Sequence, residues 1–148
     1  MEIAILALGC FWGPEIKFSK LDGVTKTEVG YCGGNTQNTT YKEVCSGVTN
    51  HAEVVKIEFD KNKISYEKIL NFFFEIHNPT TLNKQGPDVG TQYRSEIFYV
   101  DKNQKSSAEK VLNIYNEKYN GKIVTQISEV KNYCTAEDYH QKYLEKKF

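Results

Sequence analysis

A mixed β-sheet with helices packed on it, α/β in the loose sense or α+β, is the fold class that this chain of 148 residues predicts. Strand-like and helix-like segments alternate along it, yet several connections are too short for the helical crossovers that a wholly parallel sheet needs. A hydrophobic content of 39% with 13% aromatics suffices for one continuous core without disulfides or metals. One domain over residues 1–148 is therefore expected.

The apolar run Ile3 to Leu8 reads as a buried strand that ends at Gly9. Pro14 suits the first turn of a helix, which should run to about Leu21 before Gly23 stops it. A strand follows from Val24 to Tyr31, and then a polar stretch with Gly33 and Gly34 forms a loop up to Tyr41. From Ala52 to Phe59 the pattern alternates, with Glu53, Val55, Ile57 and Phe59 on one face and Ala52, Val54, Lys56 and Glu58 on the other. Glu53 thus points with an apolar set. Ser65 caps a helix whose Ile69, Phe72, Phe73 and Ile76 recur at helical spacing and which ends near His77 and Pro79.

Residues 78–93 show no period and contain Pro79, Gly86, Pro87 and Gly90, so a long ordered loop is expected, and loops of that length are usually functional. Glu96 to Val100 reads as a strand. Asp101 with Gln104 opens a helix bearing Ala108, Val111, Leu112, Tyr115 and Tyr119 on one stripe, which Gly121 ends. Ile123 to Val130 is read as a last strand, and Thr135-Ala136-Glu137-Asp138 as a capping box for a terminal helix.

Nineteen Lys plus Arg balance nineteen Asp plus Glu, so no net field steers the chain toward nucleic acid or anionic lipid. The N-terminal run has an acid at Glu2 where a signal peptide wants positive charge, and it is too short to span a bilayer. Cys10, Cys32, Cys45 and Cys134 form no C-x-x-C pair, and a reducing cytoplasm suits them. No pair among the cysteines and His51, His77 and His140 has metal-ligand spacing, so neither a metal nor a bound cofactor is expected. No glycine pattern matches a phosphate-binding loop. A monomer is the expected state.

Cys10 lies where a buried strand turns into a helix. Its thiol would face backbone N–H groups and the positive end of a helix dipole, both of which favour thiolate. The plainer reading of such a residue is a small buried group filling a strand end. Glu53 likewise has two readings. One is a carboxylate paired with a Lys at a strand edge. The other is a buried acid whose pKa rises from about 4.3 by as much as ~3–5 units, enough to donate a proton at neutral pH.

The neighbours of Cys10 decide between these readings. Gly9-Cys10-Phe11-Trp12-Gly13 resembles the signature of the A-type peptide methionine sulfoxide reductases. Gly30-Tyr31-Cys32-Gly33-Gly34, Thr40-Tyr41-Lys42-Glu43-Val44-Cys45-Ser46-Gly47, His51-Ala52-Glu53, Gly90-Thr91-Gln92-Tyr93-Arg94-Ser95 and Ala136-Glu137-Asp138-Tyr139-His140-Gln141 stand in the family's order, so the resemblance covers essentially the whole chain. It implies a ferredoxin-like two-layer core and an enzyme that reduces the S epimer of methionine sulfoxide, free or in peptides and proteins. It further implies Cys10 as the nucleophile that attacks sulfur and becomes a sulfenic acid, and Glu53 as the acid that protonates the departing oxygen. By the same resemblance Tyr41 and Tyr93 bind that oxygen, Phe11 and Trp12 form the aromatic wall that receives the methyl group, and Asp88 contacts the substrate main chain. Thioredoxin or another thiol is the implied external reductant.

Many members of this family resolve the sulfenic acid with one or two cysteines in a Gly-rich tail, whereas here the chain reaches Lys147-Phe148 with Cys134 as its last cysteine. Either Cys134 resolves Cys10 or an external thiol attacks the sulfenic acid directly. Cys32 and Cys45 read as structural. A second function class stays open beside the reductase: a sulfoxide-binding module or thiol redox sensor on the same fold that does not turn over.

Overall fold

The computed structural model describes residues 2–142. Its elements follow in the order β1 (Glu2–Leu8), α1 (Trp12–Ser19), β2 (Val24–Cys32), α2 (Tyr41–Ser46), β3 (Ala52–Phe59), α3 (Tyr66–Glu75), β4 (Lys84–Gln85), β5 (Asp88–Val89), β6 (Ser95–Tyr99), α4 (Lys102–Lys118), β7 (Gln126–Glu129) and β8 (Cys134–Thr135). Six strands form a mixed sheet in the order β7-β6-β1-β3-β2-β8, and β4 pairs with β5 in a separate small hairpin. All neighbours in the large sheet run antiparallel except β6 and β7. Strands β6-β1-β3-β2 with α1 and α3 reproduce the expected ferredoxin-like arrangement.

Alternation along the strands sorts their side chains into two layers. Ala4, Leu6, Leu8, Val29, Tyr31, Val55, Ile57 and Phe59 face the helices, where Phe18 of α1, Ile69, Leu70, Phe73 and Phe74 of α3, and Ala108, Val111 and Tyr115 of α4 complete the main core. Ile5, Ala7, Cys32, Ala52, Val54 and Phe98 line the opposite face, with Ile3, Val130 and Tyr133 packed against them. Glu53 falls on the helix side, as the alternation requires, and is buried.

The caps read from the sequence form as expected. The Ser65 hydroxyl accepts from the Lys68 N–H at 3.1 Å and the Asp101 carboxylate from the Gln104 N–H at 2.8 Å. Helix α1 begins two residues earlier than expected, with Phe11 as its N-cap, and ends at Ser19. Pro14 still lies in the first turn, where its missing N–H has no intrahelical acceptor to lose. No helical stripe marks α2, since only Val44 among its six residues is buried. A Thr40 hydroxyl accepting from the Glu43 N–H at 3.3 Å and Gly47 in the left-handed region bound it instead.

Two expectations are corrected. The last strand is confined to Gln126–Glu129, because Val124 donates to the Pro79 carbonyl instead of extending the ladder. Among the described residues no α-helix follows Thr135. That residue pairs with Gly30 in β8, and its hydroxyl donates to Glu28 at 3.2 Å instead of capping a turn. A single 3-10 turn, Asp138–His140, comes next. Within 78–93, expected as loop, the β4/β5 hairpin and a 3-10 turn at Thr91–Tyr93 give the segment its order.

β7 and β8 lie on opposite edges of the sheet, yet only five residue steps separate Glu129 from Cys134. Five steps reach at most roughly 18 Å, whereas five flat inter-strand spacings need about 24 Å. The sheet therefore curls, and residues 130–133 cross its concave face, where Val130 and Tyr133 cover the smaller core.

The loop after β2 packs tightly on this side. A Cβ on Gly34 would lie 1.9 Å from the Nδ1 of fully buried His51. We expect Gly34→Ala to lower the urea midpoint by an amount equivalent to about 1–3 kcal/mol, the usual cost of overpacking. His51→Ala in the same chain should recover part of that loss, and strict additivity of the two substitutions would rule out the steric cause.

Candidate active site

Gly9 ends β1 with φ +97°, and a Cβ there would meet the Gln85 side chain of β4 at 2.8 Å. Only glycine both turns the chain and admits the hairpin at this point. The turn delivers Cys10, half-buried, to the start of α1. The Phe11 N–H then donates to Glu53 Oε1 at 3.3 Å, joining the turn that carries Cys10 to β3.

Glu53 is only 1% exposed and its second oxygen, Oε2, has no hydrogen-bond partner among the described residues. Burial raises its carboxyl to about 8, the Phe11 N–H opposes this, and the Asp88 charge adds to it. The acid is consequently mostly protonated at neutral pH, and a free oxygen is available to carry and present the proton.

Cys10 departs from the expectation of a resting thiolate. The Trp12 N–H at the start of the helix does favour the anion, but burial outweighs it, and the charges of Glu53 and Asp88 push in the same direction as burial, so the thiol rises to about 11. The position is a helix start, as read from the sequence. Desolvation and the two acids, which sequence spacing does not reveal, set the sign.

Around this pair the fold gathers the other expected residues. Tyr41, first residue of α2, donates its backbone N–H to Glu137 Oε2 at 2.9 Å, and its hydroxyl bonds the Cys45 thiol one helical turn on. Burial raises the Tyr41 and Tyr93 hydroxyls, Tyr93 to about 12, and the Glu53 charge raises both further. Tyr93 also feels Asp88, Cys45 and Cys10, so the 3-10 turn at 91–93 brings it to the same pocket. Both hydroxyls remain protonated donors. Asp88 is presented by the β4/β5 hairpin beside Gly9. Phe11 is buried with its ring 5.7 Å from that of Tyr31, while Trp12 stays partly accessible.

Cys32 and Cys45, both read as structural from the sequence, lie in different settings. Cys32 is buried on the opposite face of the sheet, where its thiol donates to the Lys131 carbonyl. Cys45 is exposed and borders the pocket through Tyr41 and Tyr93. Cys134 pairs across the sheet with Tyr31, itself opposite Glu53, so it shares their face, and its thiol lies 3.8 Å from the Thr39 carbonyl. The same register continued places Leu8 opposite Glu53, three strands from Cys134.

Two site residues had no role assigned from the sequence. Glu137 ties the Tyr31 hydroxyl, at 2.8 Å, and the Tyr41 N–H to one carboxylate. His140 is buried against Phe11, Trp12 and Tyr41. Their only signal was their place in the Ala136–Gln141 motif, which the reading as a helix cap obscured. Among the described residues, no group of three or more His, Cys, Asp or Glu could hold a metal ion, and no helix is long and apolar enough to cross a membrane.

A model of the protein family described as "Peptide methionine sulfoxide reductase" matches residues 2–148. The chain is 70% identical over 147 residues to the peptide methionine sulfoxide reductase MsrA of Pelagibacter ubique, covering 99% of this chain and 100% of that protein. Its fold is similar to Mxr1 of Saccharomyces cerevisiae in reduced form, with a TM-score of 0.93 at 39% identity over 98% of this chain and 84% of the other. A second Mxr1 structure, in complex with Trx2, gives a TM-score of 0.69 at 27% identity over 96% and 84% of the two chains.

The coupling between Glu53 and Cys10 is open to direct measurement. Alkylation of Cys10 by iodoacetamide, followed peptide by peptide so that Cys45 and Cys134 are counted separately, should titrate well above the ordinary thiol value. Glu53→Gln removes a neighbouring negative charge and should move that midpoint down. An unchanged midpoint would mean that the two groups do not sense one another.

Proposed function

The chain belongs to the peptide methionine sulfoxide reductase family, and from that premise we propose that residues 1–148 act as one catalytic domain that reduces methionine S-sulfoxide through Cys10 and Glu53. The observation that carries the assignment of roles is the buried Glu53 carboxyl, raised to about 8 with one oxygen unpartnered, beside the Cys10 thiol. Sulfoxide oxygen leaves poorly unless protonated, and a carboxylic acid kept neutral by burial is a suitable donor.

In the proposed reaction Glu53 gives its proton to the oxygen while Cys10 sulfur bonds to the substrate sulfur and the thiol proton is released to replace the one donated. The hydroxyl group then passes from the substrate sulfur to Cys10 sulfur as the bond between the two sulfurs breaks, and the thioether leaves. The balance is Cys–SH plus sulfoxide giving Cys–SOH plus thioether, with sulfur of the substrate reduced and sulfur of Cys10 oxidised. Tyr41 and Tyr93 supply fixed O–H donors to the oxygen, Phe11 and Trp12 receive the methyl group, and Asp88 accepts from the substrate main chain.

For the second half, attack of an external thiol on the sulfenic acid, with release of water, is favoured over resolution by Cys134. Cys134 stands three strands from the end of β1, a span of about 14 Å, whereas a disulfide needs Cα atoms within about 7 Å. Thioredoxin is the reductant proposed, supported by the Mxr1 structure in complex with Trx2. Four unpaired cysteines support a cytoplasmic location. Lys147 and Phe148 lie outside the described residues.

Single-turnover assays with the separated S and R sulfoxides test this reading. Methionine should form from the S epimer alone, Cys10→Ser should abolish it, and Glu53→Gln should slow it by ~10²–10⁴-fold. Tyr41→Phe combined with Tyr93→Phe should cost ~10²–10³-fold. Under multiple turnover with thioredoxin, Cys134→Ser should match the parent; selective loss of turnover in that variant would make Cys134 the resolving thiol. Absence of methionine even in a single turnover, with Cys10 accumulating as sulfenic or sulfinic acid, would instead favour the redox-sensor class.

A further inference from the structure

His77 takes no part in the proposed reaction, yet it closes the loop that carries Asp88 and Tyr93. Its Nδ1–H donates to the Phe73 carbonyl one helical turn back, and a carbonyl can only accept. The ring is neutral: packing on Phe73 and Phe74 desolvates it and pushes its pKa down to about 4, although part of the residue reaches solvent. Nε2 is therefore an acceptor, and it receives the hydroxyl of buried Ser95 at 2.8 Å. The Ser95 oxygen accepts in turn from the Thr125 hydroxyl at 2.7 Å. Val124, next to Thr125, donates its N–H to the Pro79 carbonyl at 2.8 Å. His77 and Pro79 at the start of the loop, Ser95 at its end, and residues 124–125 beyond α4 are thus clipped together in one place.

Between these ends the loop is bonded to itself. The Asn78 N–H and carbonyl both bond the Gln85 side-chain amide, and the Gly90 N–H donates to the Asn83 carbonyl at 2.9 Å. Such a unit can shift as a body about its ends without losing its own bonds. Ser95 also pairs with Leu8, two residues from Cys10, so the clip fixes the unit relative to the strand that presents the thiol. We propose that His77 is a positioning residue, whose bond to Ser95 clasps residues 78–93 shut and thereby holds Asp88 and Tyr93 beside Cys10. The proposal rests on the reading of Asp88 and Tyr93 as substrate contacts. With the clasp open the two side chains drift together, and both the peptide main chain and the sulfoxide oxygen lose a partner.

Ser95→Ala deletes one half of the clasp and His77→Leu the other, whereas His77→Gln leaves an amide oxygen to accept from Ser95 in place of Nε2. We expect Ser95→Ala and His77→Leu each to raise KM for a blocked methionine S-sulfoxide amide about tenfold, through Asp88, and to lower kcat about tenfold, through Tyr93. Dimethyl sulfoxide has no main chain for Asp88 to bind, so its KM should change by less than about twofold. A protein that is merely less folded loses kcat on both substrates with KM unchanged. The double variant should be no worse than either single one, and His77→Gln should recover most of the loss. Unchanged KM for the amide in Ser95→Ala, or strict additivity of the two substitutions, would overturn the proposal.

Amide hydrogen exchange reads the same clasp without turnover, and it decides with Ser95→Ala alone should His77→Leu fail to fold by circular dichroism. The Val124 N–H, which parts from Pro79 when the clasp opens, should exchange about tenfold faster in Ser95→Ala, while the Gly90 N–H inside the loop exchanges as in the parent. Equal acceleration of both would mean that the loop unravels instead of swinging, and no acceleration of Val124 that other contacts hold its ends. Either result overturns the proposal. If exchange behaves as expected but no sulfoxide is reduced, the clasp stands and the enzymatic reading fails.

Discussion

A single hydrogen bond, from the Phe11 N–H to the Glu53 carboxyl, joins the turn that presents Cys10 to the strand at the centre of the sheet. Its surroundings are dry, and this dryness decides the protonation of both partners: it raises the acid to about 8 and the thiol to about 11. The N–H stabilises the carboxylate form, but one donor cannot offset the loss of water. The geometry in turn depends on register. With Leu6 opposite Val55, Glu53 points toward the helices; a slip of one residue would send it to the opposite face and leave Cys10 without an acid.

A second set of contacts closes the pocket from the far end of the sequence. Within residues 137–142, Glu137 binds Tyr31 and Tyr41, His140 accepts from Trp12, the Gln141 amide bonds both backbone groups of Val29, and the Lys142 N–H donates to buried Glu15. The bonds reach three separate elements, α1, β2 and α2. The segment therefore works as a strap, which β8 aligns by pairing with the edge of β2. A helix there would have turned most of these side chains outward, and the 3-10 turn keeps them facing the pocket.

Periodicity revealed the central strands, α3, α4 and their caps, because each buries one face and begins on a residue that satisfies its own N–H groups. It also placed Glu53 with the apolar set, and the motif around Cys10 singled it out as the candidate nucleophile. It did not reveal α2, whose six residues bury only Val44, nor β8, whose two residues pair across a sequence separation that no local pattern encodes. The ionisation of Cys10 was misread for a related reason. A helix start is visible in sequence, but the Glu53 and Asp88 charges reach the thiol only through the fold. His140 was weighed only as a metal ligand, because its partner Trp12 is 128 positions away.

The curled sheet and its closing strap have a consequence for synthesis. A ribosome releases the chain from its N-terminus, so Cys10 emerges long before residues 134–142 can dock. Until then Trp12 lacks its acceptor and Tyr41 its carboxylate anchor, and the thiol sits on a half-built surface open to oxidants and other thiols. Such a nascent thiol is best left protonated. Burial is the main cause of the high thiol value, with the Glu53 and Asp88 charges added to it, so that value is reached only as the later segments pack around Cys10. The same late packing that completes the site thus also leaves the Cys10 thiol protonated.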